Sequence, residues 1–210
     1  MKKKHAIYGV GLFAVIGALA HWRMTATKCP WERTASAQEI EDARKVQAAS
    51  LRQNATEKAK ARPASGLVLE TTTKAELQTW AGEKGLACHD EMGGAALRCE
   101  SQGNAALNDV FARFNPKGVL VGLDIVHTAT TPNDAAEKLT TLARSIESAT
   151  GPATSKRGEP TAETLGAARL SHAAFEFRFV DYAADVSATN FITADDPKSG
   201  VVVREQYRAL

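Results

Sequence analysis

The chain has 210 residues, 44% of them hydrophobic, 24% charged and 6% aromatic; this is ordinary globular content and excludes a collagen, a wholly disordered chain and a multi-span membrane protein. The net charge of +2 hides an asymmetry, because residues 1–65 carry 12 Lys and Arg against 5 Asp and Glu, whereas residues 66–210 carry 14 against 19. An acidic folded part lacks the clustered Lys and Arg that phosphate contacts need, so nucleic acid is not an expected partner.

Residues 1–24 read as a signal-anchor or a signal peptide. Lys2, Lys3 and Lys4 precede an uncharged run from Ala6 to Ala20, and the positive start predicts a cytoplasmic N-terminus with the remainder exported. The run is about 22 Å long as a helix, short of a hydrocarbon core, and Ala18-Leu19-Ala20 offers a cleavage site. Trp22 and Met24 extend the apolar stretch, which favours retention through residues 6–24. The expected address is therefore the inner membrane, single-pass, with the C-terminal part in the periplasm. Secretion after cleavage at Ala20 is the alternative.

Residues 25–65 read as a polar helical spacer. No glycine occurs between Gly17 and Gly66, Ser36-Ala37-Gln38-Glu39 is a capping box, and Arg62-Pro63 closes a helix predicted over 36–61. Its thin apolar content suits a solvated rod about 39 Å long. A weak coiled coil through 36–61, or pairing through Cys29, would make it a scaffold subunit instead.

Residues 66–210 read as one α+β domain, an antiparallel sheet with helices packed on one face. Leu67–Leu69 reads as a short strand. Thr73-Lys74-Ala75-Glu76 opens a helix that Gly85 stops. A hairpin centred on Gly93-Gly94 pairs residues summing to 187 and sets Cys88 opposite Cys99, a disulfide if the compartment is oxidising and two free thiols otherwise. Counted from a two-residue loop, that pair falls at a hydrogen-bonded site with Cα atoms about 5.5 Å apart. Leu107, Val110, Phe111 and Phe114 fit a helix stripe as well as a strand; the turn at Asn115-Pro116-Lys117-Gly118 and the strand-like arm after it favour a hairpin. Thr131-Pro132-Asn133-Asp134 starts a helix whose inward stripe is Ala135, Leu139, Leu142, Ala143 and Ile146. Residues 152–170 read as a loop anchored by Leu165. Phe175, Phe177 and Phe179 alternate with charge, and a reversal at Asp181-Tyr182 predicts pairs summing to 363, with Phe177 facing Val186. A final strand carries Val201, Val203, Glu205 and Tyr207. The order also fits two helix-plus-meander halves, about 66–130 and 131–210.

Catalytic motifs are missing: there is no G-x-S-x-G, P-loop, H-E-x-x-H or C-x-x-C, and no cofactor is expected. His89 and Glu91 sit two apart on one strand and are the candidate metal ligands. Together with nearby carboxylates they define the alternative of a hydrolase or metal-dependent enzyme. The favoured expectation is a non-enzymatic, membrane-tethered protein of the bacterial cell envelope. It would bind a protein or envelope component through an exposed sheet face, with Arg178, Tyr182, Phe191, Arg204 and Tyr207 as candidate recognition residues.

Overall fold

The computed structural model describes residues 37–101, 109–192 and 200–210. The leader, Cys29 and Leu107 lie outside them. Among the described residues, no helix is long and apolar enough to cross a membrane.

The element order is α1 (Ala37–Arg52), β1 (Pro63–Ala64), β2 (Leu67–Val68), α2 (Lys74–Glu83), β3 (Leu86–Glu91), β4 (Ala96–Ser101), β5 (Asp109–Phe114) and β6 (Leu120–Thr130), followed by α3 (Pro132–Thr150), β7 (Ser155–Arg157), α4 (Ala162–Gly166), β8 (His172–Arg178), β9 (Tyr182–Asn190) and β10 (Val201–Ala209). The fold is α+β. β3 to β10 form one antiparallel eight-stranded sheet in the order β3-β4-β5-β6-β10-β9-β8-β7. Two meanders, β3–β6 and β7–β10, thus meet along a single seam where β6 pairs β10.

Local chemistry accounts for the helices that bear on the sheet. Thr73 and Glu76 cap α2 reciprocally, Glu76 N–H donating to Thr73 Oγ1 at 3.3 Å and Thr73 N–H to Glu76 Oε2 at 2.7 Å. Thr131 caps α3 with Pro132 in the first turn, where a missing N–H costs nothing. Leu77 and Ala81 of α2, and Ala135, Leu139, Ala143 and Ile146 of α3, are buried in one core with Leu97, Val110, Leu123, Ile125, Phe177, Val186, Val203 and Tyr207. These strand residues share one parity through the register, so one face of the sheet is apolar and helix-covered.

Cys88 and Cys99 are disulfide-bonded, with Cα atoms 3.9 Å apart. The pair sums to 187, but the hydrogen-bonding phase differs from expectation. A 3-10 turn over Met92–Gly94, followed by Ala95, leaves four residues between Glu91 and Ala96. That loop places the cysteines at the closer, non-hydrogen-bonded type of site. Replacing both by serine is expected to lower stability by about 2–3 kcal/mol, the loop-closure cost of joining residues 11 apart. The urea midpoint reads it, and reductant applied to the wild type should reproduce the drop.

Three expectations are corrected. α1 ends at Arg52 rather than near Ala61: Gln53 turns to φ 47°, and the following residues are claimed by the β8–β9 turn. There Val180 N–H donates to the Glu57 carbonyl at 2.8 Å and Ala59 N–H to Asp181 Oδ1 at 2.9 Å. The predicted rod is accordingly docked on the domain, with Arg44 donating to the Ala209 carbonyl at 3.0 Å and Ala48 buried. The β8–β9 pairs sum to 361, not 363, so Phe177 faces Ala184 and Phe175 faces Val186. The turn closes between Phe179 and Tyr182, and a two-residue slip keeps every side chain on its face. Residues 155–157, read as loop, form the edge strand β7. The hairpin favoured by the turn at Asn115-Pro116-Lys117-Gly118 is present: residues 109–114 are strand and pair β6, with Val110 and Phe114 pointing into the core and Phe111 on the other face.

Candidate functional site

The second face of the sheet is polar and built from three cross-strand rows. One runs Ala96, Arg113, Gly122, Arg208, Ala183, Arg178. The next runs His89, Arg98, Phe111, Asp124, Gln206, Asp185, Glu176. The third carries Glu100, Asp109, Val126, Arg204 and Ser187. Small residues alternate with arginines in the first row, so the long side chains lie down over them and reach the acids of the second. A Cβ built on Gly122 would touch Arg208 Cδ at 3.6 Å and Arg113 Cβ at 3.7 Å.

Asp124 is the hub. Arg208 Nη2 holds both carboxylate oxygens at 2.8 Å, Arg113 Nη2 donates at 2.6 Å, Gln206 Nε2 at 2.8 Å, and Arg204 Nη2 stands 3.7 Å away. Burial pushes the Asp124 carboxyl upward, but Arg208, Gln206 and Arg113 outweigh it and hold the group below its ordinary 3.8. Asp185 titrates the opposite way: burial lifts it, and the Arg178 hydrogen bond offsets only part of the rise.

Beside the hub is a depression of about 310 Å³ lined by Arg98, Asp109, Phe111, Arg113, Asp124, Val126 and Arg204. Phe111 lies between two guanidiniums, those of Arg98 and Arg113, each 5.6 Å from its ring centroid. Arg98 also bridges Glu91 at 2.9 Å and Asp109 at 3.1 Å. Arg204 stays 52% exposed. Three buried side-chain atoms have no hydrogen-bond partner among the described residues, Asp109 Oδ1, Arg113 Nε and Arg178 Nε, and all three belong to this face.

The structure sorts the residues expected to matter. Arg204 is on the polar face at the depression. Arg178 is on it too, but its side chain is buried, bonded to Asp185 at 2.6 Å and to the carbonyls of Phe177 and Ala184. Tyr182 and Tyr207 are not on that face. They share the parity of Val203 and Val186, and are fully buried beneath the helices. Phe191 follows β9 and is partly exposed. His89 and Glu91 do share a side, 3.5 Å apart, but Glu91 already accepts from Arg98. Among the described residues, no three His, Cys, Asp or Glu are grouped to hold a metal ion.

Sequence reasoning missed a second polar cluster, inside the apolar face. His127 Nε2 lies 2.7 Å from Glu205 Oε1, Tyr207 donates to Glu205 Oε2 at 2.6 Å, and Lys138 of α3 contacts His127 Nδ1 at 3.1 Å. An ammonium only donates, so Nδ1 accepts and Nε2–H donates to the carboxylate. Burial, then the Glu205 charge, push the Tyr207 phenol well above 10.0, so it stays a donor. His127, Glu205 and Tyr207 are buried, and the cluster ties α3 to β6 and β10. The available signal was a histidine and a glutamate on the inward parity of Leu123-Ile125-His127 and Val203-Glu205-Tyr207.

No family model matches this chain, and comparisons with curated proteins and with solved structures also returned no match.

Proposed function

We propose that this chain is an exported, membrane-tethered, non-enzymatic binding protein of the bacterial cell envelope, which engages a protein partner through the polar face of its sheet. The observation that carries the reading is Phe111, set between Arg98 and Arg113 in a depression beside the half-exposed Arg204. Aromatic and arginine side chains clustered in a recess are the composition of interface hot spots. The surrounding ion pairs already hold the arginines in place, which lowers the ordering cost of binding. Export is supported by the positively charged, then uncharged, start of the sequence, and by the Cys88–Cys99 disulfide, which suits an oxidising compartment.

The test is cross-linked capture by the full-length chain from its native membrane fraction, comparing wild type with Phe111→Ala and Arg204→Ala. Arg204→Ala is expected to fold, since Arg204 is half exposed and such substitutions usually change stability by about 0.5 kcal/mol or less; Phe111 is half-buried on the polar face and outside the hydrophobic core, so its truncation leaves the helix-covered core intact. Each should lose the captured partner, with hot-spot truncation weakening affinity by at least about tenfold. Capture that both variants retain would refute the face, and a reporter fused after Leu210 that works only in the cytosol would refute export.

A further inference from the structure

We infer that the β6–β10 side of the depression is a carboxylate subsite, taking an aspartate or glutamate side chain from an acidic segment of the partner; this rests on the reading of the polar face as the partner surface. Three guanidiniums, Arg113, Arg204 and Arg208, converge on the single carboxylate of Asp124, which leaves two positive charges in excess at that point. Arg113 and Arg208 are spent on Asp124, whereas Arg204, at 3.7 Å, is beyond hydrogen-bonding distance of it and lines the recess. Its donors are the ones an incoming acid meets.

The type of cation points the same way. Every permanent cation on the paired strands of this face is an arginine among the described residues: Arg98, Arg113, Arg157, Arg178, Arg204 and Arg208. The guanidinium fork matches a carboxylate in a way a lysine ammonium does not. Within the chain Asp124 is already held by two guanidiniums, Arg208 Nη2 spanning both of its oxygens and Arg113 Nη2 donating to one. Phe111 and Val126 supply apolar walls, and contact with them removes water from the charged pair and strengthens it. Around Arg98 the balance reverses, with Glu91, Glu100 and Asp109 set against its one guanidinium. An acidic group is repelled there and directed toward Arg204. At about 310 Å³ the recess has room for a carboxylate side chain.

The experiment titrates fluorescently labelled octaglutamate into the full-length chain in a non-ionic detergent, with octalysine and inorganic phosphate as comparison probes. Octaglutamate should bind, weaken as salt is added, and lose at least about tenfold in affinity with Arg204→Glu. Arg204→Gln, which removes the charge and the guanidinium fork but leaves a polar side chain, should lose most of the same affinity. Arg157→Glu, on the same face but at the β7 edge, should change it little. The assignment is overturned if octalysine or free phosphate binds better than octaglutamate, or if Arg157→Glu costs as much as Arg204→Glu. If octaglutamate fails to bind while partner capture still depends on Phe111 and Arg204, only the carboxylate chemistry falls. If capture does not depend on them, the face itself falls.

Discussion

Glu205→Ala is expected to destabilise the domain by about 3–5 kcal/mol, the cost of breaking a buried hydrogen-bonded pair and leaving its partners unmatched. Glu205 is 1% exposed, accepts from the Tyr207 hydroxyl and pairs with His127, so truncation strands two donors beneath α3. Set against a net stability of about 5–15 kcal/mol, that is about a fifth of the total at the least. Glu205→Gln should cost less, because the amide oxygen still accepts one bond. Tyr207→Phe should cost about 1–3 kcal/mol by leaving one carboxylate oxygen short. Urea denaturation followed by Trp80 fluorescence, Trp80 being packed against the core, gives the order. A loss below about 1 kcal/mol for Glu205→Ala would show that the cluster does not tie the elements together.

Asp124→Ala acts on the opposite face with a comparable expected loss of about 3–5 kcal/mol, since it abandons the buried guanidinium of Arg208. It also has a pH signature. The Asp124 carboxyl is held below its ordinary 3.8, so the folded state prefers the ionised form. That preference stabilises fully above 3.8 and is lost as pH falls through the folded value. The wild type should therefore steepen in its acid unfolding below about pH 4, while Asp124→Ala, weaker throughout, should show a flatter acid limb. Equal acid slopes in the two proteins would contradict the ion-pair account.

What could be read beforehand was whatever is written locally. Thr131, Pro132 and Asp134 announced α3, and the Thr73 capping box announced α2, because a cap and its orphan N–H groups are three residues apart. The parity of Phe175, Phe177 and the final strand survived a mistaken turn, since a slip of two leaves the faces unchanged. Elements whose cause is distant were illegible. Ser155-Lys156-Arg157 has no apolar alternation and becomes a strand only because β8 offers an edge. The helix expected to run on past Arg52 gave way because backbone groups of Glu57 and Ala59 found Val180 and Asp181 instead. The polar face fared likewise. Arg98, Arg113 and Arg208 carry no motif in sequence and become neighbours only through the strand order. Tyr182 and Tyr207 were placed by residue type where parity should have ruled, and the same parity marked Glu205 and His127 as misfits in an apolar stripe.

The two seam strands are not made at the same time. β6 is complete at Thr130, and β10 begins at Val201, so during synthesis the first meander waits with an 11-residue strand unpaired along its entire outer edge. Exposed edges of that length invite pairing with another chain. The hazard ends when β10 zips in and both rivets close across it, Glu205 to His127 on one side and Arg208 to Asp124 on the other. Lesions at either rivet thus prolong the interval in which nascent copies can find one another, and should show as aggregated product even where the finished protein remains folded.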